Sequence, residues 1–422
     1  MAGVTIDDFG ASFIHYLPGV VDTLRWTSTP RKVPLGKVKW EGEKLVKHVH
    51  VSLNAAVGAT SDGGAIPTAK KNTYQPAESK RKFIVGAVKV SDGILNNTKT
   101  TKKAAITVLD SELKGLYKSI HKLESLVFMR DGTGIVALMG TDVDGSSNST
   151  FTVDDARGLW DEAEFVVHDT TSTPTTPVPL VNFTVGSVAR ARDANDESVV
   201  TSSAWTTITS GIAANDYVVW KGSSSLDSFG LMPTGLDRLI DDGTSGTFQN
   251  ISLSSYPRYT SPVIDANNST VTPTILRRMM AMIAQESGQM VKRKSWWVGT
   301  SEWDMVNFSE LYESEMRITP SDKTLGTDAP TFVSPHGQFT VQSVYDAPYG
   351  KIFFVDRKQI SRTVQRELDW RPVVNGGGGI LGKSHNSLHY TADALEICEY
   401  FIEDRRSCGK IENLAQTIDS AY

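Results

Sequence analysis

Two cysteines, Cys398 and Cys408, are all that this 422-residue chain contains, and their scarcity excludes a disulfide-stapled fold. Their spacing is wrong for a zinc ribbon, so they read as free thiols. Long apolar runs are also missing: nothing approaches the roughly eighteen residues of a membrane span. Met1 to Asp8 carries an acidic pair where a secretory signal would have a positive and then an apolar region. These absences predict a soluble product made in the cytoplasm. A basic excess is lacking as well, since 43 Lys and Arg face 48 Asp and Glu for a net charge of −5. That balance argues against a protein that condenses DNA and makes any nucleic-acid contact secondary. What remains is ordinary for a globular chain, with 39% apolar and 22% charged residues and enough length for two or more domains.

The strongest pattern present is a helical one. Between Thr98 and Phe128, the residues Leu109, Leu113, Leu116, Ile120, Leu123 and Val127 recur at spacings of four and three. They predict one apolar stripe on a long helix, a spine whose buried face packs on a sheet. Asp131, Gly132 and Gly134 end it. Before it, Asn54 to Lys82 is rich in Gly, Pro and Lys and has nothing of its own to bury. Lys47–Leu53 and Phe83–Val90 alternate as strands on either side, so the region predicts a long hairpin-like arm. From Ile66 to Lys103 there are nine Lys or Arg against Glu78 and Asp92. A basic arm on an acidic protein is complementary to a neighbouring copy. Upstream, the first forty-odd residues hold isolated aromatics (Phe9, Phe13, Tyr16, Trp26, Trp40) among prolines, which suits a segment lying extended over another surface.

After the helix, Ile135–Met139 is a short apolar strand. Short β-branched runs follow at Ala163–His168, Val181–Val188, Ser198–Val200, Trp205–Thr209 and Asp216–Trp220, a β-rich subdomain with a surface loop at Thr170–Pro179. Thr272 with Pro273 reads as a helix start, with Ile275, Met279, Met282 and Ile283 as its buried face. A second helix starts at Thr300–Ser301, just after a strand at Trp296–Val298. Strands at Phe339–Val344 and Lys351–Val355 flank the turn Asp346–Gly350, and a last alternating run, Ala394–Ile402, precedes a polar tail. The order of elements is α+β, without regular βαβ alternation.

Candidate chemistry is thin. Gly377–Ser384 satisfies the phosphate-loop pattern letter for letter, yet the residues after it look extended and too little chain follows for a nucleotide-binding sheet. It reads as a flexible glycine loop. His48 with His50, and His385 with His389, could pair on a metal, but neither pair has a third ligand at a supporting spacing. Trp296, Trp297 and Trp303 could stack a sugar or base; on a strand and the helix after it, they read as core. Asp241, Asp242 and Glu286, or Glu310, Glu313 and Glu315, show no acid and base spacing. No Gly-x-Ser-x-Gly elbow is present. The sequence thus predicts no enzyme, no cofactor and no metal.

Read together, these features resemble the major capsid protein of tailed bacteriophages, the Hong Kong 97 fold. The resemblance rests on the order arm, loop and spine, then on Gly230-Leu231-Met232-Pro233-Thr234-Gly235-Leu236-Asp237 and Tyr256-Pro257-Arg258-Tyr259, which look like the approach to that family's axial domain. Trp296–Trp303 resembles its strand-to-helix step, and Phe339–Val344 with Pro348-Tyr349-Gly350-Lys351 the strand and turn that follow. It implies an N-terminal arm at 1–47, an extended loop at 48–92, a peripheral domain with the spine helix at 93–150, and a β-rich subdomain or insertion at 151–225. An axial domain at 226–388 and a return to the peripheral domain with a C-terminal tail at 389–422 complete it. The β-rich stretch exceeds the minimal fold. The implied function is that of a structural subunit assembling into hexamers and pentamers of an icosahedral head around double-stranded DNA. Implied partners are other copies, portal, scaffolding and decoration proteins, and packaged DNA by non-specific contact, with no membrane. The place implied is the virion, assembled in the host bacterial cytoplasm. Lys70, Lys71, Lys80, Arg81 and Lys82 are the expected inter-subunit contacts of the loop. An encapsulin-type compartment and a glycan-binding virion protein are the alternatives.

Overall fold

A computed structural model describes residues 33, 35–91, 102–140, 150–169, 178–189, 197–201, 213–221, 228–288, 296–313, 331–371, 382–383 and 389–415. Its first strands are β1 (Gly36–Lys39), β2 (Lys44–Ser52), β3 (Thr73–Lys80) and β4 (Lys82–Ser91), followed by a 28-residue helix, Lys102–Met129. Then come β5 (Ile135–Leu138), β6 (Thr150–Val153), β7 (Glu164–Asp169), β8 (Val178–Ala189), β9 (Glu197–Thr201) and β10 (Tyr217–Trp220). After these lie the short β11 (Thr247–Phe248) and β12 (Ile251–Ser252), then β13 (Val263–Ser269), helix Pro273–Ser287, β14 (Trp296–Thr300) and helix Glu302–Glu313. The chain continues through β15 (Thr331–Ser334), β16 (Gly337–Ser343), β17 (Ile352–Asp356), β18 (Ile360–Trp370), β19 (Gly382–Lys383), β20 (His389–Ile402) and β21 (Gly409–Leu414). Mixed sheets with few helices make this the α+β class that the element order predicts.

Two compact units form. Among the described residues, one comprises Gly86–Ile120 with Trp370–Ala394. Within it, β4 crosses the long helix at Gly86, where a methyl group would come 2.8 Å from Leu116 Cδ1 and 2.9 Å from Ile120 Cδ1. Glycine is what lets strand and helix approach so closely. Tyr117 meets Trp370 edge-on at 5.1 Å, and Gly382–Lys383 pair antiparallel with Tyr390–Thr391.

The other unit holds the remaining described residues and three apolar cores. In the first, β13-β21-β17-β14-β16-β15 form a six-stranded sheet, with Leu276, Met279, Met280 and Ile283 buried against Trp296, Val298, Phe339 and Phe354. Thr272 caps the helix start as expected, its hydroxyl accepting the Ile275 N–H at 3.3 Å. The second is a six-stranded sheet ordered β5-β10-β7-β8-β9-β6. A Met139–Val153 bridge, with Gly140 N–H donating to the Thr152 carbonyl at 2.9 Å, joins its first strand to its last. The sheet closes on itself around Phe165, Val167, Val185 and Val218, leaving no open edge between those strands. Its opening strand, β5, comes from before the β-rich stretch marked out in the sequence. The third core gathers Phe128, Met129, Leu236, Leu239, Tyr400 and Phe401.

The tail after Ile402 departs from expectation. It carries a buried strand, β21, parallel to β13 and antiparallel to β17, not a polar run. Only Ile411 and Leu414 signal it in sequence. Buried Lys410 is tolerated because Asp237 (2.9 Å) and Glu412 (3.1 Å) pair with it. The hairpin also differs. Phe83–Val90 is a strand, but β2 pairs with β3 instead, in the register Val46–Glu78, His48–Pro76 and His50–Tyr74. The sequence TYQPAESK of β3 has a proline and the charged or amide side chains of Gln75, Glu78 and Lys80, and so little intrinsic strand signal; its packing decides it.

Candidate assembly surface

The base of the β2–β3 hairpin is fastened to its own unit from one side. Ala77 is fully buried in the third core, and Val49 packs against it. Gln75 Nε2 donates to the Tyr256 hydroxyl at 2.7 Å, and the Glu78 N–H donates to the Gln249 carbonyl at 2.8 Å. Lys44 pairs with Glu78 at 3.0 Å, and Lys47 pairs with Glu403. Tyr256-Pro257-Arg258-Tyr259, marked in the sequence only as a family likeness, is thus the seat of the hairpin.

Beyond this base, no described core residue covers the apolar side chains of the hairpin. Leu53, Val57 and Ile66 are 79%, 86% and 89% exposed. Asn54 closes the tip, its Nδ2 donating to the Lys70 carbonyl at 2.6 Å while its Oδ1 accepts the Ala56 N–H at 2.8 Å. Exposed apolar side chains on a projecting loop gain by being covered, at about 25 cal/mol per Å² of area removed from water. Lys70 and Lys71 sit on the same exposed stretch; Lys80 and Arg81 are exposed at its root, with Arg81 lying over the Phe83 ring at 5.5 Å. Lys82 differs. Half-buried, it donates to the Gly230 carbonyl at 2.6 Å within its own chain, and its pKa is lowered, chiefly by burial, against the pull of Glu399.

The spine residues divide along the helix. Ile120 and Val127 are buried, and Leu113, Leu116 and Leu123 are half-buried; the Leu109 side chain lies outside the described residues. The last turns go further than the stripe predicts, with Glu124, Ser125, Leu126, Phe128 and Met129 buried on every side. Arg362 answers the buried Glu124 at 3.3 Å and Glu396 by a short contact. The Gly230–Asp237 segment closes the helix end. Asp237 N–H donates to the Arg130 carbonyl at 3.1 Å, and a methyl on Gly235 would lie 1.9 Å from that same oxygen. Asp237 in turn binds Lys351 at 2.7 Å, so two segments singled out by resemblance meet in one ion pair.

The sites of possible chemistry come apart in the structure. Gly382 and Lys383 are extended and paired, not at the start of a helix, and Gly377–Leu381 and Ser384 lie outside the described residues. His48 and His50 are exposed, His50 stacking on Tyr74 at 4.9 Å. His385 and Glu315 lie outside the described residues. No group of three His, Cys, Asp or Glu suited to a metal occurs among the described residues. Trp296 and Trp297 are buried, the latter donating to Gln342 at 2.9 Å, while Trp303 is partly exposed. Burial pushes the Cys408 thiol up to about 12, far from a nucleophile's range. No described helix is long and apolar enough to cross a membrane.

No family model matches the chain, and no curated protein matches it. Solved structures do. A subunit from the cyanophage A-1(L) capsid asymmetric unit superposes with a TM-score of 0.59 at 12% identity, covering 94% of this chain and 96% of its own. The capsid of an empty GTA particle gives 0.51 at 8% identity over 98% and 99%, and that of a native GTA particle 0.50 at 9% over 98% and 100%. Likeness from end to end, at such low identity, is likeness of fold: the chain has the Hong Kong 97-like fold of phage capsid subunits.

Proposed function

We propose that this chain is the major shell subunit of a tailed phage, assembling with other copies of itself into hexamers and pentamers of an icosahedral head that encloses double-stranded DNA. The observation that carries the reading is the coupling of a capsid fold along nearly the whole chain with a fastened hairpin whose apolar, basic tip is uncovered. In a closed lattice one such contact is repeated at every subunit, so modest pair affinities give a stable shell. Five-fold and six-fold surroundings ask one sequence to accept two curvatures, and a tip with no core contacts adjusts at least cost. Lys70, Lys71, Lys80 and Arg81 are the cations that would face a neighbour, and Lys82 holds the root. Portal, scaffolding and decoration proteins would complete the particle, the packaged DNA meeting the inner surface without sequence preference. No residue of the chain is assigned a catalytic role.

Electron microscopy of the purified protein tests this. Closed particles of uniform size, or open sheets of hexamers, are expected, with nuclease-protected DNA in particles taken from infected cells. A monomer that stays dispersed at high concentration and in crowding agents would overturn the reading, and shells filled with a protein cargo would replace the phage head with a storage compartment.

A further inference from the structure

Lys122, in the last turns of the long helix, is a buried cation answered by one carboxylate. Its Nζ donates to Asp346 Oδ1 in a short contact, and the two side chains are 11% and 0% exposed. Buried Lys410, by contrast, shares its charge among Asp237, Asp241 and Glu412. The second carboxylate oxygen of Asp346, Oδ2, is buried with no hydrogen-bond partner among the described residues. An ionised carboxylate has room for about four hydrogen bonds and is costly to bury half-satisfied. As a plain ion pair the arrangement is poor.

It is well arranged for a reaction. Asp346 sits in a turn closed by the Ala347 N–H donating to the Val344 carbonyl at 3.1 Å. Arg157 grips the carbonyls on either side of it, that of Tyr345 at 2.6 Å and that of Ala347 at 2.8 Å. The same guanidinium interacts with the Asp346 charge, and a fixed positive charge there favours an oxyanion developing on Cγ. Lys122 Nζ lies 4.4 Å from the centre of the Tyr345 ring. Burial lowers the Lys122 pKa, outweighing the pull of Asp346, so this amine gives up its proton more readily than a lysine in water. A neutral amine is a nucleophile, and one fixed beside a carboxyl group meets it at high effective concentration.

We propose that Lys122 and Asp346 condense into an amide, an isopeptide bond that ties the end of the long helix to the turn after β16 within one subunit. One proton passes along the hydrogen bond from Nζ to the carboxylate, the nitrogen lone pair attacks Cγ, and a C–N bond forms. The bond from Cγ to one oxygen then breaks, and that oxygen leaves as water with the transferred proton and a second one from nitrogen. Nothing is oxidised or reduced. Oδ2, which no described group holds, is free to be the oxygen that leaves. The product is uncharged, so the buried site no longer carries two ions. The bond lies inside one subunit and its formation is independent of any shell.

The test is a tryptic map of the purified full-length protein, unfolded before digestion. A branched peptide is expected that joins residues 119–130 to 324–351 and is lighter by one water than the two together, with fragment ions placing the link at Lys122 and Asp346. Cleavage after Lys122 should be lost. Lys122→Arg keeps a cation beside Asp346 but cannot form the bond, so it should restore cleavage after position 122, the linear 324–351 peptide and the full intact mass. Separate peptides 119–122 and 324–351 in full yield from the parent protein would reduce the contact to an ion pair and overturn the proposal. A loss of water that persists in Lys122→Arg would overturn it too, by placing the loss elsewhere, such as a ring closed by Asp346 on its own backbone. If Lys122→Arg does not fold, the branched peptide in the parent, or its absence, decides alone.

Discussion

Glu399, buried on β20, accepts the main-chain N–H of Thr234 at 2.7 Å. It also accepts the Tyr400 N–H at 2.9 Å. Burial nevertheless outweighs these donors and nearby Lys82, raising its pKa from 4.5 to about 7. The unfolded chain therefore releases this proton near pH 4.5, while the folded one keeps it until about 7. Across that window the folded state binds more protons, so stability falls as pH rises and then levels off. Glu399→Gln should flatten the slope and stabilise the unassembled subunit at pH 8, by up to roughly 3 kcal/mol. Urea midpoints of both proteins at pH 5 and pH 8 check this, and parallel pH profiles would refute it.

The opposite sign is expected at Asp155. Burial would push this carboxyl up, but Arg157 and Arg130 prevail and hold it at about 2. Both guanidinium groups lie 2.8 Å away. Arg157 also donates to the Tyr345 and Ala347 carbonyls at 2.6 and 2.8 Å and covers the Tyr349 ring at 3.8 Å. Asp155 thus contributes stability above its unfolded value near 3.8, and loses it as pH falls toward 2. Asp155→Ala strands a buried arginine, for which a loss of about 3 to 5 kcal/mol is typical. Thermal melts of the variant at pH 7 should show that loss; a shift no larger than that of an exposed substitution such as Asp161→Ala would refute it.

How much of this was readable in advance depends on where the physics sits. The long helix, the capped start at Thr272 and the strand Trp296–Thr300 announce themselves through periodicity and caps, which are local. The partner of β2 does not: Thr73–Lys80 becomes a strand because Ala77 enters a core and Gln75 meets Tyr256, a residue 181 positions away. Strand β21 is hidden for a similar reason, since Lys410 is buried only because Asp237 lies across from it. The seat of the hairpin shows in the sequence solely as the order of segments shared with a family, and the closure of the β-rich sheet rests on a Met139–Val153 pairing that no local pattern encodes.

The contact of Gly86 with the spine separates packing from mere helicity. Ile120→Ala removes a buried side chain and should cost about 2 to 5 kcal/mol, whereas half-buried Leu116→Ala should fall at the low end. Gly86→Val should also destabilise, because its branches have to enter space that Leu116 Cδ1 and Ile120 Cδ1 occupy. Exposed Glu112→Ala on the same helix should do little. Melting of unassembled subunits ranks the four; equal behaviour of Ile120→Ala and Glu112→Ala would remove the core role of the stripe.

The hairpin tip can be cut only at a place the structure defines. Removing everything from Ala55 to Ser79 would take Ala77 from the core and Gln75 from Tyr256, so loss of shells could then reflect loss of the fold. Replacing Ala56–Ala69 by a short Gly-Ser linker spares β2, β3, Asn54 and Lys70 while deleting Val57 and Ile66, which make no contact with a core. The subunit should melt as the parent does, yet closed particles should fall to a small fraction of parental yield by electron microscopy. Lys70→Glu with Lys71→Glu, which keeps the apolar tip and reverses its charge, should weaken assembly most at low salt, since screening shortens the reach of surface charge to about 8 Å at physiological ionic strength. Normal particles from the linker variant would mean that the exposed apolar tip does not join subunits, and the assembly role given to this hairpin would fall with it.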